Sequence, residues 1–134
     1  MHSAYRTACV VVMLLLAATC GYALADAQGR NRGEVRMLVQ RSPLAGLRYG
    51  EAAGVWDRLR LGDELELSRE PDNPFDANAI RVDWRGRKLG YVPRRDNAAL
   101  SWAMDRGEAL RARISGLAQR SRTSHRVELE VYME

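Results

Sequence analysis

Between Arg69 and Val82 the chain reads Arg-Glu-Pro-Asp-Asn-Pro-Phe-Asp-Ala-Asn-Ala-Ile-Arg-Val, and this stretch concentrates the groups able to do chemistry. Three carboxylates (Glu70, Asp72, Asp76), two carboxamides (Asn73, Asn78) and one aromatic ring, Phe75, are set around Pro71 and Pro74. A plain hairpin turn requires far less. The prolines fix φ and push the residues before them toward extended conformations. Asp72, Asn73, Asp76 and Asn78 can accept bonds from nearby backbone N–H groups, so the stretch is expected to be a rigid loop. Phe75 then has to pack or to stack. A calcium loop would need an oxygen ligand where Pro74 stands and a distal glutamate that is missing. Hydrolysis would need Asp72, Asp76 or Glu70 to gather a metal, and no spacing here demands it. We assign no catalytic residue, no metal ligand and no cofactor.

The elements that must hold this loop are legible as alternations. Leu65 and Leu67 face one way and Glu64 and Glu66 the other, and Ile80, Val82 and Trp84 alternate with Arg81 and Asp83, as in half-buried strands. Arg85-Gly86 is a tight turn, Arg87 to Val92 returns as a partner strand, and Pro93 stops it. Upstream, Val35, Met37 and Val39 suggest a first strand, Ser42 to Gly50 a glycine-bracketed loop, and Glu51 to Leu61 a short helix ended by Gly62-Asp63. Downstream, Asp96 or Asn97 caps a helix through Arg106. A strand then starts at Leu110, Ala118 to Ser124 is a polar turn, and Val127 to Val131 ends the set. About six strands and two short α-helices predict a mainly β fold, a small OB-like six-stranded β-barrel, with an α+β arrangement as the alternative.

The first residues belong to a different class. Arg6 precedes the apolar run Ala8 to Cys20, and Ala23-Leu24-Ala25 stands before Asp26, the pattern of a charged region, a short apolar region and a small-x-small cleavage site. Residues 1–25 are therefore expected to be a signal peptide and 26–33 a flexible leader, with the protein exported to the periplasm or secreted. The run is short for a membrane span, so no span is expected after cleavage. Lipidation at Cys20 is the lesser alternative, because Ala17-Ala18-Thr19 makes a poor lipobox. Cys9 and Cys20 both lie in the removable segment, which leaves no disulfide and no thiol chemistry. Loss of Arg6 takes the formal net charge from +4 to +3, a mild basic excess carried almost wholly by arginine. Residues 34–134 suffice for one modest core, expected as a monomer.

Three ordered motifs resemble the HIRAN domain: Ala45-Gly46-Leu47-Arg48-Tyr49, the stretch Arg69 to Val82, and Lys88-Leu89-Gly90-Tyr91-Val92-Pro93-Arg94. The resemblance covers about Leu38 to Met133 and implies a modified OB-like barrel with two helices. It also implies a non-catalytic nucleic-acid-binding module that grips the 3′ end of single-stranded DNA. Carried over by residue, it places Arg48 and Tyr49 on one side of an end-binding pocket and Asn73, Phe75 and Asp76 on the other. Tyr49 and Phe75 would stack on bases, Asp76 would accept a bond from a free 3′-hydroxyl and repel a terminal phosphate, and Lys88 and Arg94 would neutralise phosphates. The chain departs from the family at Phe75, where eukaryotic members often carry tyrosine, at Gly50, where a second aromatic often sits, and in its exported start.

Two other functions stand beside this one. An exported module could reuse the same groove for a protein or envelope ligand, and larger relatives carry hydrolase labels that would require a metal. Blander roles are expected for several residues. Asn78 ties the loop to its own backbone, Tyr91 is half-buried packing, and Trp56, Trp84 and Trp102 are core or helix-face residues. His125 is expected as an isolated surface residue.

Overall fold

Alternation sets the sheet. In this computed structural model, which describes residues 36–121 and 124–133, the six strands among the described residues are β1 (Met37–Pro43), β2 (Glu64–Arg69), β3 (Ile80–Trp84), β4 (Arg87–Tyr91), β5 (Leu110–Ser121) and β6 (Ser124–Met133). They form one antiparallel sheet in the order β1-β6-β5-β2-β3-β4. The curl nearly closes, because the chain leaving β1 reaches β4 at the opposite edge. Ala45 N–H donates to Tyr91 O at 2.8 Å, and Tyr91 N–H returns to Ala45 O at 2.9 Å. Gly90 makes that approach possible, since a Cβ there would sit 2.2 Å from Ala45 O. The mainly β, OB-like half-barrel with two short helices is thus the observed fold.

Inside the curl, Ile80, Val82 and Trp84 of β3 meet Leu89 of β4, Ile114 of β5, and Val127, Leu129 and Val131 of β6, all at most 2% exposed. Each such aliphatic burial contributes about 1.5–3 kcal/mol. Trp84 also donates its indole N–H to Asp63 at 2.9 Å. Two helices close the ends: α1 (Ala52–Val55) buries Ala52 and Val55, and α2 (Ala98–Asp105) buries Leu100 and Ala103. The β3–β4 turn needs positive φ at both central positions, and Arg85 (48°) and Gly86 (76°) supply it.

Several boundaries differ from the sequence reading. The first strand runs through Pro43, which an edge strand tolerates, and Val35 lies outside the described residues, as do the expected signal segment 1–25 and leader 26–33. The expected helix Glu51 to Leu61 is α-helical only at Ala52–Val55 and tightens to a 3-10 turn at Trp56–Arg58. The expected polar turn Ala118 to Ser124 is mostly strand. β5 and β6 pair out to Ser121 and Ser124, because ladder bonds and bulges near Gly116 and Ser121 absorb the polar sequence. His125 is not isolated: its ring centroid lies 4.3 Å from that of Trp56. Of the tryptophans read as core or helix-face residues, Trp84 lies in the core and Trp102 on an exposed face of α2.

On the outer face, Glu130 of β6 sits between Arg41 of β1 and Arg113 of β5 in register. Arg113 Nε donates to one oxygen and Arg41 Nε, at 3.1 Å, to the other. The Arg113 bond, with that of Arg41, outweighs burial and holds the Glu130 carboxyl below its ordinary value of 4.5. A carboxyl lowered by folding stabilises the native state above its unfolded pKa, and that stabilisation is lost as pH falls through the native value. Urea midpoints measured from pH 6 down are therefore expected to drop more steeply below 4.5 in the wild type than in Glu130→Gln. Parallel curves would remove Glu130 from the acid response.

Candidate nucleic-acid interface

The loop between β2 and β3 is held by its own polar groups. Asn73 Oδ1 accepts the N–H of Phe75 at 2.9 Å, and Asp76 Oδ1 accepts that of Asn78 at 2.9 Å. Turn bonds from Asn73 N–H to Glu70 O (3.1 Å) and from Ala79 N–H to Asp76 O (3.0 Å) close the loop. Arg69 supports it from beneath, donating to Ala79 O at 2.9 Å and Ala77 O at 3.1 Å, and Arg94 donates to Phe75 O at 2.6 Å. Phe75 is left 83% exposed at the tip. Asn78 departs from the expectation: its side-chain oxygen accepts the Ser101 hydroxyl at 3.2 Å, because α2 lies against the loop.

Asn73, Phe75, Asp76, Lys88 and Arg94 line one cleft of about 390 Å³, together with Ala45, Pro74, Ala79, Tyr91 and Val92. Arg48 and Tyr49 do not join them. They lie on a 3-10 turn, Leu47–Tyr49, and line a neighbouring cleft of about 560 Å³ whose far wall is Ser124 and His125. The linings are adjacent in the chain, Ala45 in the first cleft and Gly46 in the second. The Arg48 guanidinium lies over the Tyr49 ring at 4.7 Å, and Tyr49 is 76% exposed. Gly50 is small for a steric reason: a Cβ would stand 2.6 Å from Leu89 O. A larger cleft, about 680 Å³, lies between β2 and β5, but its rim mixes Glu64 and Glu66 with Arg85 and Arg111 and carries no exposed aromatic ring.

Tyr91, expected as packing alone, belongs to the first cleft. A bulge puts the extra residue Leu89 into β4, so that Lys88 pairs with Asp83 while Gly90 pairs with Val82. Lys88 and Tyr91 thereby fall on one side of the strand, which strict alternation forbids. Lys88 Nζ donates to the Tyr91 hydroxyl at 2.9 Å and sits 4.5 Å from the ring centroid, and the hydroxyl donates to Glu70 Oε2 at 3.0 Å. Asn73 Nδ2 donates to the same oxygen at 2.9 Å. Burial pushes the Glu70 carboxyl up, but the bonds from Asn73 and Tyr91 with the charges of Arg81 and Lys88 bring it below 4.5. Asp76 behaves alike. Desolvation raises it, and Asn78, Asn97, Arg94 and Arg69 together hold it below 3.8. Its carboxylate is therefore an anion at neutral pH, with Arg94 Nε 3.8 Å away. Among the described residues no three His, Cys, Asp or Glu side chains converge on a metal position, and no helix is long and apolar enough to cross a membrane.

Such a cleft presents an aromatic face, two cations and one oriented anion. The comparisons with known proteins bear on it. Over 66 residues the chain is 39% identical to the helicase-like transcription factor of Oryctolagus cuniculus and 38% identical to that of Mus musculus. The aligned stretch is 48% of this chain and 6% of either relative. Among solved structures, a protein from Lactobacillus plantarum superposes with a TM-score of 0.66 at 29% identity, over 74% of this chain and 95% of that one. The HIRAN domain of human HLTF gives 0.58 at 22% identity, over 73% and 78%, a likeness of fold. The HIRAN domain family model matches residues 37–134, the whole curl with its loop and both clefts, and the chain belongs to that family.

Proposed function

We propose that this domain binds single-stranded DNA, and specifically a free 3′ end, without catalysing a reaction on it. The observation that carries the reading is Phe75, an aromatic ring 83% exposed on a loop whose backbone is pinned on every side. A ring so placed contributes nothing to the core and is ready to stack, which single-strand binders exploit because every base offers a π face. Phe75 takes the terminal base and Tyr49, in the adjoining cleft, a neighbouring one. Arg94, Lys88 and Arg48 neutralise phosphates, and Asp76 accepts the terminal hydroxyl. The same carboxylate repels a terminal phosphate. Export before action is part of the proposal, and a mass measurement of the protein recovered from cells tests cleavage near Asp26.

Fluorescence anisotropy of the purified protein with short oligonucleotides tests the reading. Binding that prefers a 3′-hydroxyl over a 3′-phosphate is expected, with log K falling against log salt at a slope of about −2.1 for three neutralised phosphates. A folded protein that binds neither oligonucleotide at low salt rules the nucleic acid out. Salt-independent binding of a protein or envelope ligand at the same cleft would then become the better account.

A further inference from the structure

Asn97 stands at the N-cap of α2, where an asparagine ordinarily accepts a bond from the first free N–H groups of its own helix. It makes no such bond. Buried to 1% exposure, it turns its side chain away and donates Nδ2–H to Asp76 Oδ2 at 2.7 Å. The next two turns repeat the direction. Ser101 donates to Asn78 Oδ1 at 3.2 Å, and Asp105 accepts from Arg69 at 2.9 and 3.2 Å. Positions 97, 101 and 105 share one helix face. Of the three, only Asn97 holds a group that lines the cleft.

The groups around Asp76 give this contact its meaning. Its Oδ1 accepts the Asn78 N–H, while Arg94 and Arg69 supply positive charge nearby. An ionised carboxylate has about four acceptor positions, so the two bonds leave lone pairs free toward the cleft. Asn97 is a neutral donor: it fixes the plane of the carboxylate and adds no cation that would cancel its charge. We propose that Asn97 is the specificity-determining positioning residue of the cleft, holding Asp76 as an oriented anion so that a terminal hydroxyl is accepted and a terminal phosphate refused. This rests on the end-binding reading above.

Asn97→Ser separates the clamp from the helix. Serine caps a helix well but is too short to span to Asp76. Asn97→Asp instead sets a second carboxylate against the first, and like charges at such range share a proton. For each folded variant, affinities for 3′-hydroxyl and 3′-phosphate oligonucleotides are measured beside the Asp76 titration followed by carboxyl-carbon NMR. In Asn97→Ser the hydroxyl preference is expected to fall about ten- to a hundredfold, the size of a lost hydrogen bond to a charged group. The Asp76 midpoint should move up toward 3.8, with the modest loss of melting temperature at neutral pH that a raised carboxyl pKa entails, and it should move further in Asn97→Asp. If the wild type discriminates and both variants keep its ratio and its titration, the positioning role is overturned while the end-binding reading stands. A wild type that binds neither oligonucleotide overturns both.

Discussion

Phe75→Ala is expected to unfold at the wild-type temperature and to bind single-stranded DNA roughly 5- to 150-fold more weakly, the equivalent of about 1–3 kcal/mol for one stacked base. Both halves of this result follow from one geometry. The ring is 83% exposed, so removing it opens no cavity and exposes no core. The loop keeps its shape because the atoms that pin it, Phe75 N–H to Asn73 and Phe75 O to Arg94, belong to the backbone. Anisotropy titrations paired with thermal melts of the same preparation check it. Undiminished affinity would show that Phe75 is not a stacking platform, and a large fall in melting temperature would show that it packs.

Gly90→Ala should do the reverse and damage the fold itself. The added methyl would meet Ala45 O at 2.2 Å, far inside any real contact, at the bridge that, among the described residues, joins the two edges of the curl. Neither side has slack. Ala45 is tied to Tyr91 by two backbone bonds, and Leu44 is only 7% exposed beneath them. Overpacking of this kind costs about 1–3 kcal/mol and more where backbone must move. We expect about 3 kcal/mol, which for a domain of this size is a loss of roughly 12–24 °C in melting temperature. Calorimetry decides: a variant within a few degrees of wild type would mean that the edges can part without consequence. Since Ala45 and Tyr91 both line the first cleft, the variant should also bind less well, through misplacement and not through a lost contact.

Much of this is legible in the residues alone. Period-two alternation locates β2, β3 and β4, and the density of Pro, Asn and Asp marks the loop, because local side-chain-to-backbone bonds are written in neighbouring residues. The resemblance sets Asn73, Phe75 and Asp76 across one pocket from Arg48 and Tyr49; the first three line one cleft, with Lys88 and Arg94, and the other two line a different one. What escapes such reading depends on partners far along the chain. The bulge at Leu89 that brings Tyr91 beside Lys88 is set by the register with β3, and no count along β4 reveals it. Asn97 reads as a helix cap because its type suits one, and only the packing of α2 on the loop diverts it to Asp76. His125 looks solitary until β6 carries it to Trp56. The hairpin β5–β6 runs on past its apolar residues, because backbone pairing asks nothing of side-chain polarity.

The seam between α2 and the loop bears on the thermodynamics of recognition. Long polar loops commonly reach a bound conformation only when the ligand arrives, and the entropy of ordering them then weakens affinity. Here Arg69, Asn73, Asp76 and Asn78 are already bonded to partners on the helix and the loop. The conformational entropy of the loop is lost when the domain folds, and a ligand meets a surface that has little left to lose.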